Sequence, residues 1–430
     1  MRILLSVKTM RKPVQIIYFF KFFATGVIIP VLSLMLLSRG ATIETISLVI
    51  GVYSVTVILA EFPSGIFADV YGRKYAFLLS CMLCLISYCA FLFSRSALVL
   101  LLGMVANGLG RAFSSGSIEA LMIDQAIELK CPLERVTARL SILESAGLAC
   151  GALAGGLMAE VGTRFSGNLS LNIGIYALLI ILTAVLVQEE PRGNARSGST
   201  TKRSRISVQM KESLSFLRKK GTVPVLLVFF LATGFALNAI EIYWQPALDL
   251  YKPAYWMFGV VSFAGFGFVM LGSWAAERIL RRRSKTGIGL LLLLKTLLGA
   301  GLVLFSVSGS TVSLVGVYLL LYLFIGGSGV VENTFLNHLA PASQRASILS
   351  LFSFVLQIGG VLASIGGFFV SAHTRFQNMW LLAGILLLSI SGTVGFFHKK
   401  MTVPIEKPIP ENAETNSIIS VPAPETLRLP

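Results

Sequence analysis

Twelve stretches, most of about twenty or more apolar residues, follow one another along the chain, at about 13–38, 42–66, 75–94, 97–126, 136–160, 170–188, 222–250, 254–276, 286–306, 310–337, 343–370 and 374–397. A helix needs about 20 apolar residues to cross the hydrocarbon core of a bilayer, so each stretch has the length of a span. The runs are continuous, as in LLLLLKTLLGAGLVLF, and lack the ten-residue alternation of a membrane β-barrel. Composition agrees: 55% of the 430 residues are hydrophobic, 13% are charged, and the mean hydropathy is +0.80. The expected fold class is an all-α membrane protein with twelve transmembrane helices, embedded in the lipid bilayer.

The net charge of +16 is a matter of topology. With the N-terminus in the cytoplasm, most Lys and Arg fall on the cytoplasmic side, before the first window, at Arg73 and Lys74, in the long central loop and in the run 278–285. The opposite loops hold Arg39, Arg95, Arg164, Lys252 and Arg375, and the helix interiors hold Lys21, Arg111 and Lys295. This positive-inside bias puts both termini in the cytoplasm and the protein in a cytoplasmic (inner) membrane. The bases are spread along alternate loops with no binding module around them, so no nucleic-acid partner is expected. The opening MRILLSVKTMRKPVQ runs into a window too long for a cleaved signal peptide. Cys81, Cys84, Cys89, Cys131 and Cys150 lie in helices or an inner loop, which argues against a disulfide framework. No second pair or nearby His supports a metal at Cys81 and Cys84. No cofactor and no metal are expected.

The windows divide into two groups of six. Residues 1–188 form an N-terminal half, 189–221 a cytoplasmic linker, 222–400 a C-terminal half and 401–430 a Pro- and Glu-rich disordered tail. Within the linker, VQMKESLSFLRKK reads as a helix lying on the inner membrane surface or a solvated one. The halves carry faint copies of each other. SIEALMIDQ at 117–125 matches VVENTFLNH at 330–338, with Glu119 over Glu332; RLSIL matches RASIL; Asp69 falls over Glu277. Parallel repeats about an axis along the membrane normal are one known transporter design, with substrate held near the midplane between them.

Between the second and third windows stands GIFADVYGRK. It resembles the inner-loop signature of the major facilitator superfamily at Gly65, Asp69, Gly72, Arg73 and Lys74. Locally, Gly72 permits the positive φ of a two- or three-residue turn. Asp69 sits at a helix C-terminus, where the dipole disfavours an anion, so it needs a partner elsewhere. The resemblance implies that partner: Asp69 meets the N-terminus of the eleventh helix, here opened by Pro341-Ala342-Ser343, and Arg73 pairs with an acid at the inner end of the fourth. Asp124 occupies that position, and the contacts would latch the halves in an outward-open state.

The resemblance also implies that helices one, four, seven and ten line a central cavity, with three, six, nine and twelve outside. Charges within a bilayer are costly and default to function. Lys21 falls on helix one, Arg111 and Glu119 on four, Glu144 on five, Glu241 on seven and Glu332 on ten. Lys21 and Glu119 lie about 12 Å deep at 1.5 Å per residue, so they are either an ion pair or, for Glu119, a proton site. Burial favours the neutral acid, which makes Glu119, Glu144, Glu241 and Glu332 candidates to carry a proton. Lys295, on an outer helix, reads as snorkelling or packing. Trp244, beside Tyr243 and Gln245, suits either a cationic or amphipathic ligand or an interfacial anchor.

Two stretches bear on direction. LLLGMVANGLGRAF aligns with the antiporter signature of helix four but has Met104 where that signature has Arg; Arg111 lies two turns on along nearly the same face. GLACGALAGG resembles the Gly-rich helix five of drug:proton antiporters without its Pro, with Gly147, Gly151, Gly155 and Gly156 expected on one face; small residues at this spacing also serve close packing in any membrane bundle.

The resulting expectation is a monomeric secondary transporter that exports a small amphipathic drug-like compound or metabolite in exchange for protons by alternating access. The alternatives are proton-symport uptake of a polar metabolite (sugar, peptide or siderophore) and a non-transporting sensor or scaffold. The sequence holds no nucleophile–base set and no Walker motif, so neither an enzyme nor an ATP-driven pump is expected.

Overall fold

The computed structural model describes residues 12–94, 96–115, 117–128, 133–187, 222–282, 287–339 and 345–397, and every regular element among them is helical. The central linker with the helix expected over 208–220, the C-terminal tail, Cys131, and Pro341-Ala342-Ser343 lie outside the described residues, as do the side chains of Asp69 and Asp124. Twelve helices are long and apolar enough to cross a membrane: Pro13–Ser38, Thr45–Ala68, Arg73–Phe93, Ala97–Ile123, Arg139–Met158, Ser166–Leu186, Val223–Asp249, Trp256–Arg282, Gly287–Ser306, Thr311–Leu339, Ile348–His373 and Asn378–Phe396. They are numbered one to twelve here. An even number of crossings returns the chain to its starting side. We call that side of the bundle proximal and the other distal.

The packing repeats with a period of six helices. Helix one packs on five and six, two on four, three on four and six; correspondingly, seven packs on eleven and twelve, eight on ten, nine on ten and twelve. The halves join through the equivalent crossings five–eight and eleven–two. Two six-helix units related in this way are the parallel-repeat architecture that the faint internal matches pointed to.

Three departures from regular helix have visible causes. Gly72, at φ 103°, ends helix two and begins helix three, a one-residue junction tighter than the expected turn and open to a residue without a Cβ. Helix one passes through a 3-10 turn at Ile29–Val31, where Pro30 lacks the N–H that a continuous helix would use. Helix four breaks between Ser114 and Ile118. There Ser117 Oγ donates to Ser114 O (2.7 Å), and Ser64 of helix two donates to Ala112 O (2.9 Å), side-chain bonds of the kind that compete with a helix.

The glycines of helix five do not share one face. Gly147, Gly151 and Gly155 recur every four residues and meet the helix-one backbone at Phe19, Phe23 and Val27, whereas Gly156 faces Gly259 of helix eight. A single position along a helix turns the side chain by about 100°, which is why the run divides between two neighbours. Close backbone approach accounts for all four. A Cβ at position 147 would lie 2.8 Å from Phe19 O, so Gly147→Leu is expected to cost about 1–3 kcal/mol, read as a lowered unfolding midpoint of the detergent-solubilised protein. An unchanged midpoint would mean that helix one gives way freely.

Candidate functional site

The halves close on each other at the distal end. Gln245 of helix seven reaches across to the break in helix one: its Oε1 accepts from Ser33 N (2.8 Å) and its Nε2 donates to Ile29 O (2.7 Å). In an unbroken helix Ser33 N would bond Ile29 O directly, so the amide of Gln245 is inserted into that missing bond. Nearby, Tyr243 OH bonds Ser47 Oγ of helix two and Ser371 Oγ of helix eleven. Glu160, at the distal end of helix five, accepts from the backbone N–H groups of Tyr255 (2.7 Å) and Trp256 (3.4 Å), an acid at the helix-eight N-terminus where the dipole favours it. Among the described residues every hydrogen bond between the halves lies in this distal layer. On the proximal part of helix two, Leu59, Phe62 and Ile66 are exposed, and a Cβ on Gly65 would meet nothing within 4 Å. Among the described residues, the polar contacts between the halves therefore form a distal seal.

Beneath the seal lies a cavity of about 470 Å³, to which Lys21, Arg111, Glu144, Met104 and, from the C-terminal half, Asn238 contribute. Three of the expected charges therefore meet there. Lys21 is 8% exposed, with its Nζ 4.5 Å from the Phe22 ring centroid and 5.9 Å from that of Tyr18. Glu144 is within hydrogen-bonding reach of the Tyr18 hydroxyl. Glu119 is exposed and does not line the cavity, although its charge, like those of Arg111 and Glu144, acts on Lys21. Among the described residues no ion pair joins Lys21 to Glu119. Met104 lines the cavity at the position where the antiporter signature has Arg, and Arg111 supplies the cation two turns away.

The remaining candidates belong to the C-terminal half. Glu332 of helix ten pairs with Lys295 of helix nine at 2.8 Å, the two side chains 5% and 0% exposed. Lys295 Nζ also donates to Thr233 Oγ1 of helix seven (2.6 Å). Lys295 does not snorkel: it is turned inward and sealed. Glu241 lies one turn on from Asn238, is exposed, and accepts a hydrogen bond from Tyr322 of helix ten. Trp244 is no interfacial anchor, since it is fully buried between Phe258 and Tyr318, with ring centroids 5.9 and 4.8 Å away.

Of the expected latch, Gly72, Arg73 and Lys74 form the helix two–three junction, and Lys74 Nζ donates to Ala184 O at the end of helix six (2.9 Å). Sequence reasoning missed Gln245, Tyr243, Ser47 and Glu160 as a seal. Pro30 in helix one was the one available signal, because a proline within a span frees backbone groups that some partner must satisfy. It also missed Arg39, which is buried and donates to Arg164 O (3.1 and 3.0 Å) and to Leu92 O, joining the three distal hairpins of the N-terminal half.

A family model described as Major Facilitator Superfamily matches residues 14–364. The chain is 25% identical over 368 residues to the uncharacterized MFS-type transporter YxaM of Bacillus subtilis (strain 168), covering 85% of this chain and 90% of that protein. It is 25% identical over 235 residues to the quinolone resistance protein NorA of Staphylococcus aureus (strain MSSA476), covering 54% of this chain and 57% of that one. Among solved structures, the nucleoside transporter NupG superposes with a TM-score of 0.74 at 15% identity, covering 90% of this chain and 98% of NupG; a likeness at that identity speaks for the fold alone. The match over most of the chain joins the six-helix repeat and the proximal signature, and the chain belongs to the Major Facilitator Superfamily as a multi-pass membrane transporter.

Proposed function

We propose that this transporter exports a small amphipathic compound from the cytoplasm in exchange for protons, with both termini cytoplasmic in a bacterial-type inner membrane, so that the distal end faces outward. The observation that carries the reading is the charged cavity beneath a closed distal seal, the form in which an exporter collects its load from inside. The partial relationship to a quinolone resistance protein favours export over uptake. The two halves, 1–188 and 222–400, rock as a monomer about the five–eight and eleven–two crossings. Asp69, Arg73 and Asp124 latch the proximal side once the distal side opens. Glu144 is the proton carrier of choice, since it lines the cavity beside Lys21 and Tyr18; Glu119 and Glu241 are its rivals.

The test uses the full-length protein in liposomes enclosing a pH-sensitive dye under an imposed pH gradient, with lipophilic carboxylates, lipophilic ammonium compounds, sugars and short peptides offered in turn. Lipophilic compounds alone should drive proton counterflow, and Glu144→Gln and Asp69→Asn should each abolish it. Sugars or peptides that carry protons in the same direction as themselves would replace export with symport.

A further inference from the structure

Among the described residues two lysines are buried within helices, and they are treated differently. Lys295 has Glu332 at 2.8 Å and Thr233 at 2.6 Å, so its charge is compensated within the protein. Lys21 is 8% exposed and lines the cavity, yet among the described residues its ammonium has neither an ion-pair partner nor a hydrogen-bond acceptor. What it has is the aromatic face of Phe22 and, farther off, that of Tyr18. An aromatic face attracts a cation more weakly than a carboxylate does. A second cation, Arg111, opens into the same cavity and acts electrostatically on Lys21. Two like charges bordering one cavity repel, and an anion between them relieves the repulsion.

Glu119 and Glu144 act on Lys21 from a distance, but among the described residues neither forms an ion pair with it, so no carboxylate lies against the ammonium. Glu144, the one carboxylate that lines the cavity, is also within reach of Tyr18, and no ion pair joins it to Lys21 or Arg111 among the described residues. The lining therefore carries one more positive than negative charge. The rest of the wall mixes aliphatic and small polar side chains with aromatic ones, Tyr53, Tyr88 and Tyr176 among them, and Tyr88 stacks on Tyr176 at a 5.5 Å centroid distance. A planar apolar body fits such walls.

We infer that the substrate of this cavity is an amphipathic organic anion, a planar aromatic body bearing one carboxylate that sits between Lys21 and Arg111. The inference rests on the cavity being the transport site. Lys21 and Arg111 are then the specificity-determining residues, and Glu144 excludes dianions while remaining free to take a proton.

The test is equilibrium binding of two planar probes of equal size and opposite charge, 2-naphthoate and 2-naphthylmethylammonium, to the full-length protein in detergent. Naphthoate should bind at least about tenfold more tightly than the ammonium probe. Lys21→Met and Arg111→Gln should each weaken naphthoate binding about tenfold or more, and Lys21→Arg should retain most of it, which distinguishes lost charge from lost fold. Arg111 is exposed, so Arg111→Gln stays informative if Lys21→Met fails to fold. Preference for the ammonium probe, no binding of either probe, or unchanged naphthoate affinity in Arg111→Gln would each overturn the assignment. The proton-counterflow assay reads separately: ammonium-driven counterflow would leave the export reading standing and remove the anion.

Discussion

Glu332→Met is expected to destabilise the protein by about 3–5 kcal/mol, the range for breaking a buried ion pair by removing one partner. Its partner Lys295 is fully buried, so once the carboxylate is gone the ammonium keeps only Thr233 Oγ1, whose own hydrogen goes to Phe229 O (2.7 Å). No route to water remains for the charge. Lys295→Met should be similarly costly, because it strands the carboxylate. Replacing both with methionine removes the two charges together and should recover most of the loss, since a buried pair and an apolar pair of similar volume are often close in energy. Unfolding midpoints of the four proteins in detergent supply the measurement. If the double variant is no more stable than either single one, the residues are separate packing elements and the pairing contributes nothing.

Gln245→Leu should move the protein from the distally closed state towards the distally open one. The side chain makes two hydrogen bonds across the seal, together worth about 1–3 kcal/mol, or roughly 5–150-fold in the ratio of the two states. The cost on the helix-one side is small, because Ser33 N and Ile29 O are the partners of an ordinary helical turn and bond each other when the amide withdraws. The change therefore affects the balance of states more than the stability of the fold. Spin labels at Thr42→Cys and Thr374→Cys, both exposed at the distal end, in a background with the five native cysteines replaced by Ser, would report a longer distance population in Gln245→Leu by pulsed EPR. Distances that match the parent protein would show that the seal holds without the amide.

The helices were legible because the bilayer fixes the length of an apolar run that must satisfy its own backbone. Gly72 was legible because a helix-to-helix junction of one residue demands a backbone conformation that side chains resist. Lys21 and Arg111 were legible as cavity charges from their helix numbers, whereas Glu144 sits on helix five, outside the set expected to line the cavity. Lys295 was not, since helix nine is apolar on every side and nothing in its pattern marks which face turns inward. Trp244 read as either a ligand contact or an interfacial anchor, and its full burial went unseen, because depth along a helix says little about the direction of a side chain. Gln245 was invisible for a different reason: it satisfies backbone groups more than 200 residues away in the other half.

Where the halves cross, Gly156 lies against Gly259, Gly51 against Ser364, and Gly367 against Ser47. Ridges of large side chains would have to climb out of their grooves before one half could turn on the other, and packed interiors resist such motion in discrete steps. A glycine resting on another glycine or on a serine offers only small teeth to disengage. In the proposed rocking the pivots would act as plain bearings and the resistance to turning would reside in the polar seal, so that a change of state would be a matter of a few hydrogen bonds and leave the packing of the core untouched.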